Sequence, residues 1–206
     1  MNNTRHFLVI DLEATCDQGR RLPRDQMEII EIGAVLVEPQ HLQIVDEFQT
    51  FVRPVRHHRL RPFCTELTSI TQEMVDAAPL FPEALLQLRD FIGQARVTFC
   101  SWGAYDKNQF LQDAEFHSIK LPFDVRRHIN LKARFQQQFH ARRGFGLSRA
   151  IKKVGLRFEG THHRGIDDAR NIARLLPWCL GRAAEAGVIP PDAGRGGRRP
   201  RRRGRG

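Results

Sequence analysis

Apolar residues along this chain fall first into three short runs of the kind that build strands, and only later into the three-and-four spacing of helices. Phe7-Leu8-Val9-Ile10 opens the first run, residues 29–37 form a second rich in Ile and Val, and residues 43–52 form a third. Their short polar connections predict an antiparallel meander. Residues 53–70, RPVRHHRLRPFCTELTSI, read as a basic, proline-containing loop. Thr71-Gln72-Glu73 then has the form of a helix start with an acid in the first turn. A second helical pattern runs from about Pro82 to Ile92, RVTFCSW at 96–102 predicts a fourth strand, and DKNQFLQDAEF predicts the helix after it. A short strand near 128–131, helices near 131–139 and 146–154, and one long helix over about 165–182 complete the pattern. Meandering strands followed by strands alternating with helices predict an α/β fold, a mixed five-stranded sheet flanked by helices.

One run breaks its own pattern. In FLVIDLEATC, residues 7–16, two acids stand where a buried strand would continue. Side chains alternate faces along a strand, so Asp11 and Glu13 project from the same side. Two carboxylates so placed repel unless a cation lies between them, and burial without a partner is costly. A strand that has already ended, with both acids in solvent, accounts for the stretch as well. Two later acids change the balance. Asp106 follows the fourth strand and opens a helix, where α/β folds place their ligands, and it lies one turn before Phe110 on the apolar stripe. Asp168 stands four residues before Ile172 and seven before Leu175, again on the apolar face. Favourable placement at helix N-termini explains each of these singly. Four converging acids without thiols would suit Mg²⁺ or Mn²⁺.

Composition narrows the class. The 206 residues suffice for one well-cored domain, and an apolar fraction of 41% fits a soluble globular protein. No stretch reads as a membrane span, and the N-terminus lacks a basic region followed by an apolar segment, so a cytoplasmic protein is expected. Cys16, Cys64, Cys100 and Cys179 are widely separated, which argues against a zinc module and a disulfide framework. The net charge of +10 is concentrated at one end: residues 187–206 hold seven Arg and one Asp, a net +6. Their Gly, Pro and Arg content predicts a disordered basic tail after a domain spanning 1–186, suited to phosphate backbones or simply to solubility.

At this point the residues carry a resemblance. D-L-E in an opening strand, Y-D after a later strand and H-x-x-x-x-D on a late helix resemble the DEDDh class of 3′-to-5′ exonucleases in the RNase H-like superfamily. The fuller stretches FLVIDLEATC, IIEIGAVLVE, FCTELTSITQEMVD, CSWGAYDKNQF and HHRGIDDARNIARLL resemble the Eri-type subfamily, enzymes that trim histone mRNA and small RNA 3′ ends. The resemblance covers roughly residues 5–180. It implies Asp11, Glu13, Asp106 and Asp168 as ligands of two Mg²⁺ or Mn²⁺ ions, His163 as general base, and Phe63, Tyr105, Leu12 and Thr15 as contacts to substrate. Tyr105 stands where the animal enzymes carry a Trp, and no stretch matches their SAP-type nucleic-acid module. Trp102 is expected in the core, and His57 and His58, among Arg53, Arg56, Arg59 and Arg61, form either a solvated basic loop or a phosphate-contacting rim.

The implied chemistry is hydrolysis of single-stranded nucleic acid, RNA favoured and DNA open, to nucleoside 5′-monophosphates, with two cations clamping the attacking and departing oxygens. THHRGIDD contains the histidine–aspartate spacing twice, as His162 with Asp167 and His163 with Asp168. Helical phase selects the second pair, because Asp167 aligns with polar Asn171 and Arg174 on the face expected to meet solvent. Two rival readings share most of these residues: a non-catalytic RNA-binding scaffold, and a DNA proofreading or repair exonuclease. Converging carboxylates favour an enzyme, since a scaffold gains nothing from groups that repel phosphate. Oligomeric state is not legible.

Overall fold

A computed structural model describes residues 5–184; the basic segment 187–206 lies outside them. Five strands form one mixed sheet: β1 (His6–Ala14), β2 (Ile29–Val37), β3 (Ile44–Phe51), β4 (Val97–Ser101) and β5 (Ile129–Asn130). They lie in the order β3-β2-β1-β4-β5. The first three pair antiparallel, and β1–β4 and β4–β5 pair parallel. The helices are α1 (Pro62–Thr68), α2 (Gln72–Asp76), α3 (Phe81–Ile92), α4 (Tyr105–Phe116), α5 (Leu131–Gln138), α6 (Leu147–Lys153), α7 (Gly165–Arg174) and α8 (Leu176–Cys179). None is long and apolar enough to cross a membrane.

Alternation along β1 sorts its side chains into two cores. Leu8, Ile10 and Leu12 pack with Phe81, Leu85 and Leu88 of α3 and with Phe110 of α4. Val9 packs on the opposite face with Ile166, Ala169 and Ile172 of α7. Asp11 and Glu13 continue the Val9 face, so both acids are aimed toward α7. The strand has not ended at Ile10: it pairs with β2 through Asp11↔Gly33 and Glu13↔Glu31.

Two features differ from the sequence-based expectation. The stretch 53–70 holds a helix, α1, which starts on Pro62 and buries Cys64 and Thr68. Proline at the first helical position loses no hydrogen bond and presets φ, so Arg61-Pro62 was a start signal inside a loop-like composition. The long helix over 165–182 is instead two, α7 and α8, divided at Leu175. Pro177 cannot donate to the carbonyl of Ala173, and its ring would crowd that carbonyl, so the first helix stops.

The approach of α7 to the sheet depends on two glycines. A Cβ at Gly33 would stand 2.1 Å from the carbonyl carbon of Gly165, and one at Gly165 would stand 3.0 Å from the Asp11 carbonyl oxygen. Backbone therefore packs on backbone directly opposite Asp11, which lets an acid in the first turn of α7 come down beside β1. Gly33→Ala is expected to destabilise the fold by at least the ~1–3 kcal/mol typical of overpacking and to lower any turnover that depends on the acids beside it. A thermal melt paired with a turnover assay checks this, and an unchanged pair of values would refute it.

Candidate metal centre

The four acids come from three elements and meet in one cleft. Asp11 and Glu13 lie on β1, Asp106 opens α4 and Asp168 lies in the first turn of α7. Single carboxylate oxygens of Asp11, Glu13 and Asp168 all lie within 4.8 Å of one another. Asp106 stands beside them with Oδ1 accepting the Leu12 N–H at 3.1 Å. Asp168 accepts the His163 N–H through Oδ2 at 3.1 Å, while its Oδ1 is buried without a hydrogen-bond partner among the described residues. The cleft measures about 300 Å³ and is also lined by Leu12, Tyr105, Trp102, Leu67 and both His162 and His163.

Crowding is visible in the proton affinities. Burial, followed by the charges of Asp168, Glu31 and Asp106, pushes Glu13 up to about 9. Burial raises Asp168 to about 7 and Asp106 to about 6, against the N–H bonds that each accepts. Asp11 is held well above the ordinary carboxylate range by burial and then by Asp106, Asp168 and Glu13. A compensating cation would favour the charged form of such a group. An orphaned buried oxygen and oxygen-only donors fit a hard divalent ion at Asp11, Glu13 and Asp168.

His163 is placed by its backbone. It adopts φ +63°, a left-handed conformation uncommon for a residue with a side chain. Its N–H is held by Asp168, and its Nδ1 stands 3.9 Å from Glu13 Oε1. Burial and then the neighbouring His162 lower its proton affinity below the usual imidazole value. This favours the neutral ring, the form able to accept a proton.

A fifth acid escaped the sequence reading. Glu31 is fully buried on β2, opposite Glu13. Its carboxylate accepts the Gly165 N–H at 3.0 Å, Arg164 Nε at 3.3 Å and Gln49 Nε2 at 2.6 Å. It thus caps the first turn of α7 and holds that helix against the sheet. The signal was present: an acid inside a wholly apolar strand, the same anomaly that singled out Asp11.

The solvent-facing assignment of Asp167, Asn171 and Arg174 is corrected by the structure. Their face of α7 is covered by residues 157–161. Asp167 accepts the Thr161 N–H at 2.8 Å. Asn171, fully buried, accepts the Glu159 N–H at 3.1 Å and donates to the Glu159 carbonyl at 2.7 Å. Arg174 Nη1 donates to the Arg157 carbonyl at 2.9 Å. Sequence phase distinguished the two helix faces but could not show what covers the polar one. These three residues clamp the segment that delivers His163, and Phe158 stacks on His162, whose ring in turn meets His163 edge-on at 4.2 Å. Asn171→Ala is expected to cost about 1–3 kcal/mol for its missing hydrogen bonds and to lower kcat more than it raises KM. Steady-state kinetics beside a melt reads both.

The remaining candidates divide. Tyr105 and Leu12 line the cleft. Trp102 lines it too, while packing edge-on to Phe135 and donating to the Phe145 carbonyl at 3.0 Å, so it is both wall and core. On α1 the cleft-lining residue is Leu67, one turn beyond Phe63. Thr15 is buried, its hydroxyl accepting the Glu28 N–H at 2.9 Å, and it lines a neighbouring groove.

A mixed sheet whose central strand carries two acids, joined by one acid from each of two helices, defines a class of α/β proteins with a four-carboxylate centre suited to a divalent metal. Residues 8–176 match the RNase_T exonuclease family, and the chain belongs to it. Human 3′-5′ exoribonuclease 1 is 33% identical over 178 residues, covering 82% of this chain and 51% of that protein. Mouse ERI1 exoribonuclease 3 is 33% identical over 180 residues, covering 83% and 52%. The chain thus spans about half the length of these curated relatives. The nuclease domain of 3′hExo, a DEDDh family member bound to rAMP, superposes with a TM-score of 0.79 at 30% identity, covering 91% of this chain and 95% of that one. Exonuclease I, at 11% identity and a TM-score of 0.69 over 88% of this chain and 42% of that one, shares the fold.

Proposed function

We propose that this protein is a 3′-to-5′ exonuclease that hydrolyses single-stranded RNA to nucleoside 5′-monophosphates, dependent on two divalent cations, Mg²⁺ or Mn²⁺. The observation that carries the reading is the convergence of Asp11, Glu13 and Asp168 within 4.8 Å, with His163 on its rim. RNA as substrate is supported by the names of the relatives, 3′-5′ exoribonuclease among them.

Asp11, Glu13 and Asp168 would hold one cation, and Asp106, with one oxygen engaged by Leu12, would contribute to a second beside Asp11. Bound there, the ions would supply Lewis-acid stabilisation of the charge that builds up on the phosphoryl group. His163 accepts a proton from the attacking water as the water oxygen bonds to phosphorus and the bond to the 3′ oxygen breaks. Glu13, 3.9 Å from Nδ1, favours the imidazolium that results. The leaving 3′ oxygen takes its proton from solvent. Tyr105 and Leu67, both lining the cleft, offer surfaces for the terminal base.

A 5′-labelled RNA and the matching DNA, each incubated with Mg²⁺, Mn²⁺ or EDTA, test the reading. Stepwise shortening from the 3′ end is expected with either metal, faster on RNA, and none in EDTA. Full cleavage in EDTA would overturn the metal-dependent mechanism, and equal or faster cutting of DNA would move the substrate to the repair class.

A further inference from the structure

Beside the acid cleft lies a second groove of about 280 Å³, whose wall includes Arg21, Arg59, Arg61 and His57. The two are continuous: Cys16 lines both, and the adjacent residues Gln26 and Met27 line one each. We infer that this groove binds the phosphodiester backbone of the strand on the 5′ side of the nucleotide being removed, an inference that rests on the exonuclease reading above.

Three observations carry it. The guanidinium groups of Arg21, Arg59 and Arg61 take part in no hydrogen bond or ion pair among the described residues, so their charge is free for an external anion. His57 presents in the same wall a buried Nε2 without a hydrogen-bond partner among the described residues. The loop carrying His57, Arg59 and Arg61 is also built in advance rather than left to solvent. The buried carboxylate of Glu28 accepts the N–H groups of Val55, Arg56 and His57 at 2.8–3.0 Å. Gln72 holds the other end, accepting the Leu60 N–H at 2.9 Å and donating to the His58 carbonyl at 2.8 Å. Arg56, unlike its neighbours, is used structurally, its guanidinium lying 4.1 Å over the Phe116 ring. A polyanion gains most from cations whose positions are already fixed by folding.

The acid cleft alone accommodates the reacting end, so the groove predicts that affinity grows with strand length. Arg59→Gln/Arg61→Gln in the full chain should raise KM for a 12-nucleotide RNA about tenfold relative to a dinucleotide, with kcat retained for both. The slope of log(kcat/KM) against log salt should flatten by about 0.7 for each single-strand phosphate that the variant no longer holds. Binding of the labelled 12-mer, followed by anisotropy in EDTA, gives a readout independent of cleavage. Loss of affinity in the variant when the parent binds but does not cut would leave the groove standing and sink the nuclease reading. Equal effects on both lengths, or no change in affinity or salt slope, would overturn the groove. So would a length effect that instead follows Lys152→Gln/Arg157→Gln, cations of the pocket on the other side of His162.

Discussion

Asp11→Asn is expected to lower cleavage by more than the roughly 10- to 100-fold typical of losing a group that merely supports a metal ligand, and at the same time to raise the melting temperature of the metal-free protein at pH 8. The two halves share one cause. Asp11 is half-buried beside Asp106, Asp168, Glu13 and Glu31, and all of these charges raise its proton affinity. Neutralising it relieves repulsion that a cation or a bound proton otherwise relieves. The pH dependence follows in sign. Glu13 titrates at about 9 when folded and at the ordinary 4.5 in an unfolded chain, so the folded state binds protons that the unfolded state has already lost. Its penalty is absent below about 4.5 and grows as pH rises toward 9. The metal-free parent should therefore lose stability between pH 5 and pH 8, and Asp11→Asn or Glu13→Gln should lose less. Saturating Mg²⁺ should restore the parent and not the variants. Melts at the two pH values with EDTA and with Mg²⁺ read this directly; a variant that melts lower than the parent in EDTA at pH 8 would contradict it.

His163→Ala is expected to lower kcat by about 10²- to 10⁴-fold at neutral pH, the range for loss of a general base, and Asp168→Asn to lower it further, since a ligand rather than a proton acceptor is removed. The parent rate should fall on acidification as His163 takes up a proton, with a midpoint below the ordinary imidazole value because burial and His162 disfavour its charged form. That limb should vanish in His163→Ala. Position 163 has φ +63°, so an altered backbone could mimic loss of the base. His163→Asn controls for this, because Asn tolerates the left-handed region. It should match the Ala variant in rate and the parent in melting temperature. A near-parental rate in either variant would remove His163 from the base role.

Much of this site was legible in one dimension because strand and helix periodicities are local rules. Asp11 and Glu13 share a face whatever the rest of the chain does, and the phase of Asp168 with Ile172 follows from the helical repeat alone. Glu31 was not legible in the same way. Its carboxylate has three partners, two of them from residues more than 130 positions away, and an acid in an apolar strand reads as an anomaly without revealing what it holds. The polar face of α7 taught the same point in reverse: its Asp, Asn and Arg suggested water, and the structure set a backbone segment there instead, because buried peptide groups need the same donors and acceptors that water offers.

The sequence by itself determined the order and type of most elements, the pair of acids on β1, and the histidine–aspartate spacing, since each depends on neighbours within a turn or a strand. Tertiary structure alone decided that four carboxylates from β1, α4 and α7 converge, that Gly33 and Gly165 allow α7 close enough for Asp168 to take part, and that a pinned basic groove adjoins the cleft. Those outcomes depend on contacts between residues far apart along the chain, which no local periodicity encodes.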